Sequence, residues 1–314
     1  MPSVKRVRVE EVPEEGLGRG SFYFTDDYSV FDWGRMPDRI RGKGASLCAT
    51  GAHTFERLEA EGIPTHYRGV LTADGDAVAL DDIDHPPREM GIELGRAPEL
   101  PYDEDADAYD YEAYHETAAT FYLVPLEVVF RNTVPEGSSL RERTEPGDHG
   151  LDFEAWPDGA VDLDDPVVEF STKFERSDRY LDRGEAADIA GVADLDAIEA
   201  VGREVNRVVT DVVGTFDENR FSFDGQQVSK EVVRRYYRRE HPDWVEDVKA
   251  GKRAARKEGV VDWTAMCEHE PEPLPEDVLA AVSDLYRAGA NAYTGRDLFD
   301  APPIEAAVEA AREL

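Results

Sequence analysis

Cysteine is nearly absent: Cys48 and Cys267 are the only two in 314 residues. They share no paired spacing, which argues against a disulfide framework and a cysteine zinc site. The seven histidines show no spacing suited to a metal and are read as structural or exposed. No apolar run approaches the length needed to cross a bilayer. The first residues lack the apolar stretch of a secretory signal. No serine elbow of a hydrolase is present, and no internal repeat. These absences point to a soluble chain working in the cytoplasm. Lysine is also scarce, with 7 against 28 arginines.

Acidic residues, in contrast, abound: 69 acids face 35 bases, a formal net charge of −34. A polyanion that captures basic partners would concentrate its charge in blocks. Here the acids are spread along the whole chain. That distribution favours a surface adapted to molar salt, where the screening length falls to about 3 Å. No basic stripe of the size needed to hold a nucleic acid is present. The hydrophobic fraction of 41% and the 10% of aromatics suit a folded core.

Alternating residues and turns over 1–40 read as strands. From Ala45 to Glu61, Leu47, Cys48, Gly51, Phe55 and Leu58 recur at helical spacing, and Gly62 followed by Pro64 is a stop signal. Thr65 to Leu71 looks extended. Between Glu99 and Glu116 lie eight carboxylates and no lysine or arginine, which reads as a solvated excursion. Phe121 to Phe130 has the composition of a buried strand, with Pro125 implying an edge or a bulge. Leu195 to Val209 is an amphipathic helix. Beyond Ser229 the chain reads as mostly helical, and Pro275–Leu314 is either a packed helix pair or an interface. The irregular alternation predicts an α+β fold, divided into residues 1–120, rich in strands, and 121–314.

Several segments combine residue types that suit phosphate and carboxylate chemistry. Thr25-Asp26-Asp27-Tyr28-Ser29-Val30-Phe31-Asp32, followed by Gly42-Lys43-Gly44, puts acids, a cation and a mobile backbone within reach of one ligand. Gly16-Leu17-Gly18-Arg19-Gly20 could lay backbone N–H groups over phosphates; a hairpin with permissive glycines explains it equally well. Arg131-Asn132 with the Gly137-Ser138 turn could clamp a phosphate, or Arg131 could serve an ordinary surface salt bridge. Lys173 lies in a polar strand-end context. Asp211 to Phe221 carries Asp211, Asp217 and Arg220 around a glycine turn; its acids could hold Mg²⁺, and a helix cap with a surface loop is the alternative.

Taken in order, these segments resemble the SAICAR synthetase family of purine biosynthesis. The matching stretches are TDDYSVFD at 25–32, GKGASL at 42–47, GIPTHY at 62–67 and VPLEVVFRN at 124–132. They continue with the Gly137-Ser138 turn, STKFE at 171–175 and DVVGTFDENRF at 211–221. The resemblance implies a small antiparallel N-terminal β domain, then an ATP-grasp-like α+β domain with C-terminal helices. It implies an ATP- and Mg²⁺-dependent ligase: ATP phosphorylates the carboxylate of an aminoimidazole ribonucleotide, and the amine of L-aspartate displaces phosphate. By similarity Gly18, Arg19, Gly20, Lys43, Leu123 and Glu127 would contact ATP, with Lys173 on its phosphate. Arg131, Ser138, Asp217 and Arg220 would serve the ribonucleotide, Asp32 would lie near the reacting end, and Asp211 would bind Mg²⁺.

Two departures from the family pattern accompany the match. GLGRG stands where members read Gly-Lys-Val-Arg-Asp, so the loop's cation becomes Arg19. A hairpin that members place before the Asp segment is missing ahead of Asp211, which leaves Glu204 or Glu218 to compensate, or activity impaired. The competing readings are another ATP-dependent carboxylate–amine ligase and an acidic interaction protein. Oligomeric state stays open, with a homo-oligomer one of the alternatives.

Overall fold

The computed structural model describes residues 4–13, 16–106, 108–117, 121–136, 138–191, 193–213, 222–223, 226–260 and 262–314. Along the chain, β1 (Lys5–Glu11), β2 (Gly18–Phe24), α1 (Lys43–Ala60), β3 (Tyr67–Leu71), β4 (Ala77–Val78) and β5 (Glu89–Leu94) come first. Their strands form one sheet in the order β1-β2-β5-β3-β4. The expected helix over 45–61 is α1, two residues longer at its start and one shorter at its end. Ala45, Cys48, Ala49 and Ala52 are buried at spacings of three and four, so α1 keeps one small-residue face inward. Its fourth turn is fastened to α8 (Glu276–Thr294) by a 2.9 Å hydrogen bond between Thr54 and Tyr293.

The middle of the chain builds β6 (Tyr102–Asp103), β7 (Ala108–Tyr109), α2 (Tyr111–Thr117), β8 (Leu126–Val134), α3 (Ser139–Arg143), β9 (Val161–Thr172), β10 (Tyr180–Leu181), α4 (Arg183–Ala190) and α5 (Leu195–Val213). The acidic stretch is therefore folded: β6 and β7 pair as a hairpin, and Tyr114 of α2 is buried with its hydroxyl donated to the Leu123 carbonyl at 2.8 Å. Its described carboxylates stay exposed, as solvation requires. The strand expected over 121–130 starts later, at Leu126. Pro125 has no N–H to give a ladder, so it stands ahead of β8 and its carbonyl accepts from the Lys173 N–H at 3.1 Å.

β11 (Ser222–Phe223), β12 (Gln226–Gln227), α6 (Glu231–Glu240), α7 (Pro242–Glu258), α8 and α9 (Ile304–Glu313) close the chain. Contacts divide it into two units. One gathers the described residues up to Glu11 with Arg19–Glu93 and Val213–Leu314; the other gathers Val12–Gly18 and Leu94–Val212. This differs from the division expected at residue 120. The C-terminal helices join the unit of the first sheet, and residues 94–120 join the unit of β8 and β9.

In the second unit, β8 and β10 flank β9, both antiparallel to it. Opposed residues share a face. Leu126, Val128, Phe130, Val168, Phe170 and Leu181 point one way, and Ala186 of α4 and Leu195 of α5 pack with Leu126, Val128, Val168, Phe170 and Leu181. A Cβ on Gly202 of α5 would lie 2.6 Å from the Phe130 ring, so only glycine lets α5 sit this close to β8. The opposite face carries Glu127, Arg131, Glu169, Ser171 and Tyr180.

Candidate active site

The acidic turn and the glycine-flanked lysine of the first unit do meet. The Asp26 carboxylate accepts from the Gly44 N–H at 2.9 Å, at the first turn of α1, and from Arg88 at 2.7 Å. A Cβ on Gly44 would lie 2.7 Å from the Phe24 carbonyl oxygen, which is why glycine follows Lys43. Burial pushes the Asp26 carboxyl up, but Arg88 and the Gly44 N–H outweigh it and hold the group below its ordinary value. Lys43 is buried, and its ammonium donates to the Asp27 carbonyl at 2.9 Å. Burial lowers its pKa from 10.5 to about 8, with Asp26 and Asp27 opposing the shift.

Asp32 lies at the end of the same turn. Phe31 and Asp32 both adopt the left-handed region, at φ 53° and 60°, a conformation costly for non-glycine residues. The turn is held in place on each side: the Phe31 ring meets Trp244 edge-on at 5.7 Å, and Lys252 of α7 donates to the Asp32 carboxylate at 2.6 Å. That hydrogen bond, with Lys230 and Arg234 nearby, holds the exposed Asp32 carboxyl below its ordinary value. Gly18 and Gly20 lie within β2, and Arg19 between them is ion-paired to Glu11 of β1.

In the second unit the polar face of the sheet collects charge. Arg131 donates to Glu169 at 2.5 Å, and Arg143 of α3 donates to the other oxygen of the same carboxylate at 2.7 Å. Arg143 also lies over the Tyr180 ring, 3.4 Å from its centroid. Glu169 is buried, and two guanidiniums on one carboxylate leave a net positive charge that suits a phosphate or carboxylate. Ser138 does not join this cluster through its hydroxyl, which accepts from the Leu140 N–H at 3.3 Å and caps the α3 helix that carries Arg143. Toward the other end of the sheet, Lys173 is ion-paired to Glu127.

Leu123 is half-exposed ahead of β8, its N–H bonded to the Arg96 carbonyl at 2.7 Å. Asp211 is exposed on α5 and paired with Arg207 at 3.2 Å; the same arginine holds Glu204 at 2.6 Å. No group of three or more potential metal ligands occurs among the described residues. Gly137, Asp217, Glu218 and Arg220 lie outside the described residues, as does part of the segment following Asp211.

Sequence reasoning passed over Arg88, Arg143, Glu169, Tyr180 and Lys252. Glu169 had a signal, since it lies two residues before Ser171 of the STKFE stretch on β9 and so falls on the same face. Arg143 and Lys252 had none, because only the folded backbone brings them to Glu169 and Asp32.

A sequence model of the SAICAR synthetase family matches residues 13–217. The chain is accordingly an enzyme of the ligase class. A protein of Archaeoglobus fulgidus, provisionally named a phosphoribosylaminoimidazole-succinocarboxamide synthase, is 39% identical over 349 aligned positions, covering 100% of this chain and 99% of the relative. The Thermoplasma acidophilum protein of the same name is 29% identical, with 94% of this chain and 99% of the relative covered. The solved SAICAR synthase of Saccharomyces cerevisiae complexed with SAICAR shares the fold, at TM-score 0.55 and 17% identity over 94% of this chain and 93% of that one. The chain belongs to the SAICAR synthetase family, ligases of purine biosynthesis. The alignment of 349 positions against 314 residues also means that the Archaeoglobus protein carries residues with no counterpart here.

Proposed function

We propose that the chain joins L-aspartate to the carboxylate of the aminoimidazole carboxylate ribonucleotide, with ATP as the second substrate, giving SAICAR, ADP and phosphate. A carboxylate is a poor electrophile, so its oxygen must first become a leaving group. The γ-phosphoryl of ATP passes to that oxygen and ADP departs. The aspartate amine then attacks the acyl carbon, phosphate leaves with the C–O electron pair, and the amine proton is lost to give the amide. Most of the protein's work in such a sequence is positioning and charge neutralisation.

The observation that carries this reading is the Arg131–Glu169–Arg143 cluster, which supports the ribonucleotide phosphate as its ligand. Both guanidiniums are preset by one carboxylate, so an incoming anion meets donors that are already ordered. Lys173, just past β9 and paired with Glu127 of β8, would exchange that partner for an ATP phosphate oxygen. Asp32, in its cationic surroundings, would lie near the reacting end. Asp211 would hold Mg²⁺ on exchanging Arg207, which pairs with both Asp211 and Glu204, and no step is assigned to the metal. The acidic surface supports work in molar salt. No helix among the described residues is long and apolar enough to cross a membrane, and a cytoplasmic location is part of the proposal.

The test is ADP release by the purified chain in molar KCl. Release that requires both the ribonucleotide and aspartate is the expected result. Release without aspartate, or with another amine in its place, would refute this assignment.

A further inference from the structure

The left-handed backbone at Phe31 and Asp32 persists only where the surroundings force it, and the bracing comes from far along the chain. Three of the four tryptophans gather at this turn. Trp33 meets Trp244 at 5.6 Å and Trp263 at 5.7 Å, both edge-on, and Trp244 also takes the Phe31 ring. Trp244 and Lys252 belong to α7, which lies past the residues 13–217 that the family model matches.

Lys252 adds a charged tie. Its ammonium donates to one oxygen of the Asp32 carboxylate, Oδ2, at 2.6 Å and lies 5.0 Å from the centroid of the Trp263 ring. The other oxygen, Oδ1, accepts no hydrogen bond among the described residues, and the side chain is 80% exposed, so a ligand can reach it. Lys230, at the start of α6, and Arg234 within it act on the same carboxylate. Arg234 shares its charge with Glu231 at 3.1 Å, but the Lys230 ammonium has no hydrogen bond or ion pair among the described residues. One open carboxylate oxygen beside two lysines, in a chain of net charge −34, suits a ligand that carries an amine and carboxylates together.

We propose that Lys252 is a positioning residue for the amine substrate: it fixes Asp32 by one oxygen so that the other receives the amino group of L-aspartate. The inference rests on the reading of the chain as an aspartate-dependent ligase, and goes past it by assigning the orientation of the amine to α7. Lys252 acts through Asp32 and takes no part in bond making. Without its ammonium, Asp32 keeps its charge but loses the tie that sets its rotamer. A carboxylate free to turn presents the amine in many orientations, few of them productive.

Steady-state kinetics in molar KCl, with each substrate varied in turn, tests this. Lys252→Met should lower kcat/KM for aspartate about tenfold or more and leave KM for ATP and for the ribonucleotide unchanged. Lys252→Arg restores a donor and should recover most of the loss. Lys249→Met removes the same charge from α7 at an ion pair with Glu246, and should keep parental values throughout. Circular dichroism confirms that each variant is folded. A parent without aspartate-dependent ADP release would overturn the ligase reading and this inference with it. With that release present, a Lys252→Met variant equal to the parent would mark an ordinary surface ion pair and overturn the inference alone. So would an equal loss in Lys249→Met, a Lys252→Arg variant no better than Lys252→Met, or KM values raised for all three substrates alike.

Discussion

Lys43→Met probes the buried lysine directly. In the folded chain the Lys43 ammonium loses its proton at about pH 8, against 10.5 for an ordinary lysine. Between those values the unfolded chain binds more protons than the folded one, so stability rises with pH. The slope approaches about 1.4 kcal/mol per pH unit, and the whole window is worth about 3 kcal/mol. Below about pH 8 the lysine is charged in both states, and the full cost of burying that charge is present. Methionine has similar bulk and no charge. It relieves the burial cost and leaves the Asp27 carbonyl without the donor it has at 2.9 Å, a loss of about 1–3 kcal/mol. These opposing effects nearly cancel near neutrality. The informative quantity is thus the stability of the variant minus that of the parent, measured by urea unfolding at fixed molar KCl from pH 8 to 10.5. It should fall by about 3 kcal/mol across the window, as the parent alone gains from deprotonation. Other titrating groups, including the buried tyrosines, largely cancel in the difference. A difference that stays constant with pH would refute the assignment of a buried, proton-losing Lys43.

Arg131→Met should raise KM for the ribonucleotide by about tenfold or more, the loss of one charge-assisted clamp, and leave KM for aspartate unchanged; steady-state kinetics with each substrate varied in turn shows which. Gly202→Ala drives a methyl into the Phe130 ring and should cost about 1–3 kcal/mol in denaturant unfolding, whereas an unchanged midpoint would mean that α5 does not sit this close to β8.

Much of the local structure was legible because it depends on neighbours in the chain. The 3.6-residue recurrence of small and apolar side chains marked α1 and α5. Period-two alternation on β8 and β9 separates the face covered by α4 and α5 from the one bearing Arg131 and Glu169. The ordered motifs from Thr25 to Phe221 carried the family. The start of β8 was misplaced since composition alone does not count hydrogen-bond donors, and Pro125 has none.

By itself, then, the sequence determined the family, the chemistry to look for and the residue types that suit it, because motifs and periodicities are written over a few neighbouring residues. Tertiary structure decided which partner each charge has. Lys43 and Arg131 look alike as isolated cations in the sequence. Folding buries the first on a backbone carbonyl and lowers its pKa, and sets the second beside Arg143 on a shared carboxylate. Folding also leaves β1 at the edge of its sheet. Such outcomes depend on residues far apart in the chain, since burial and ion pairing are properties of the three-dimensional neighbourhood.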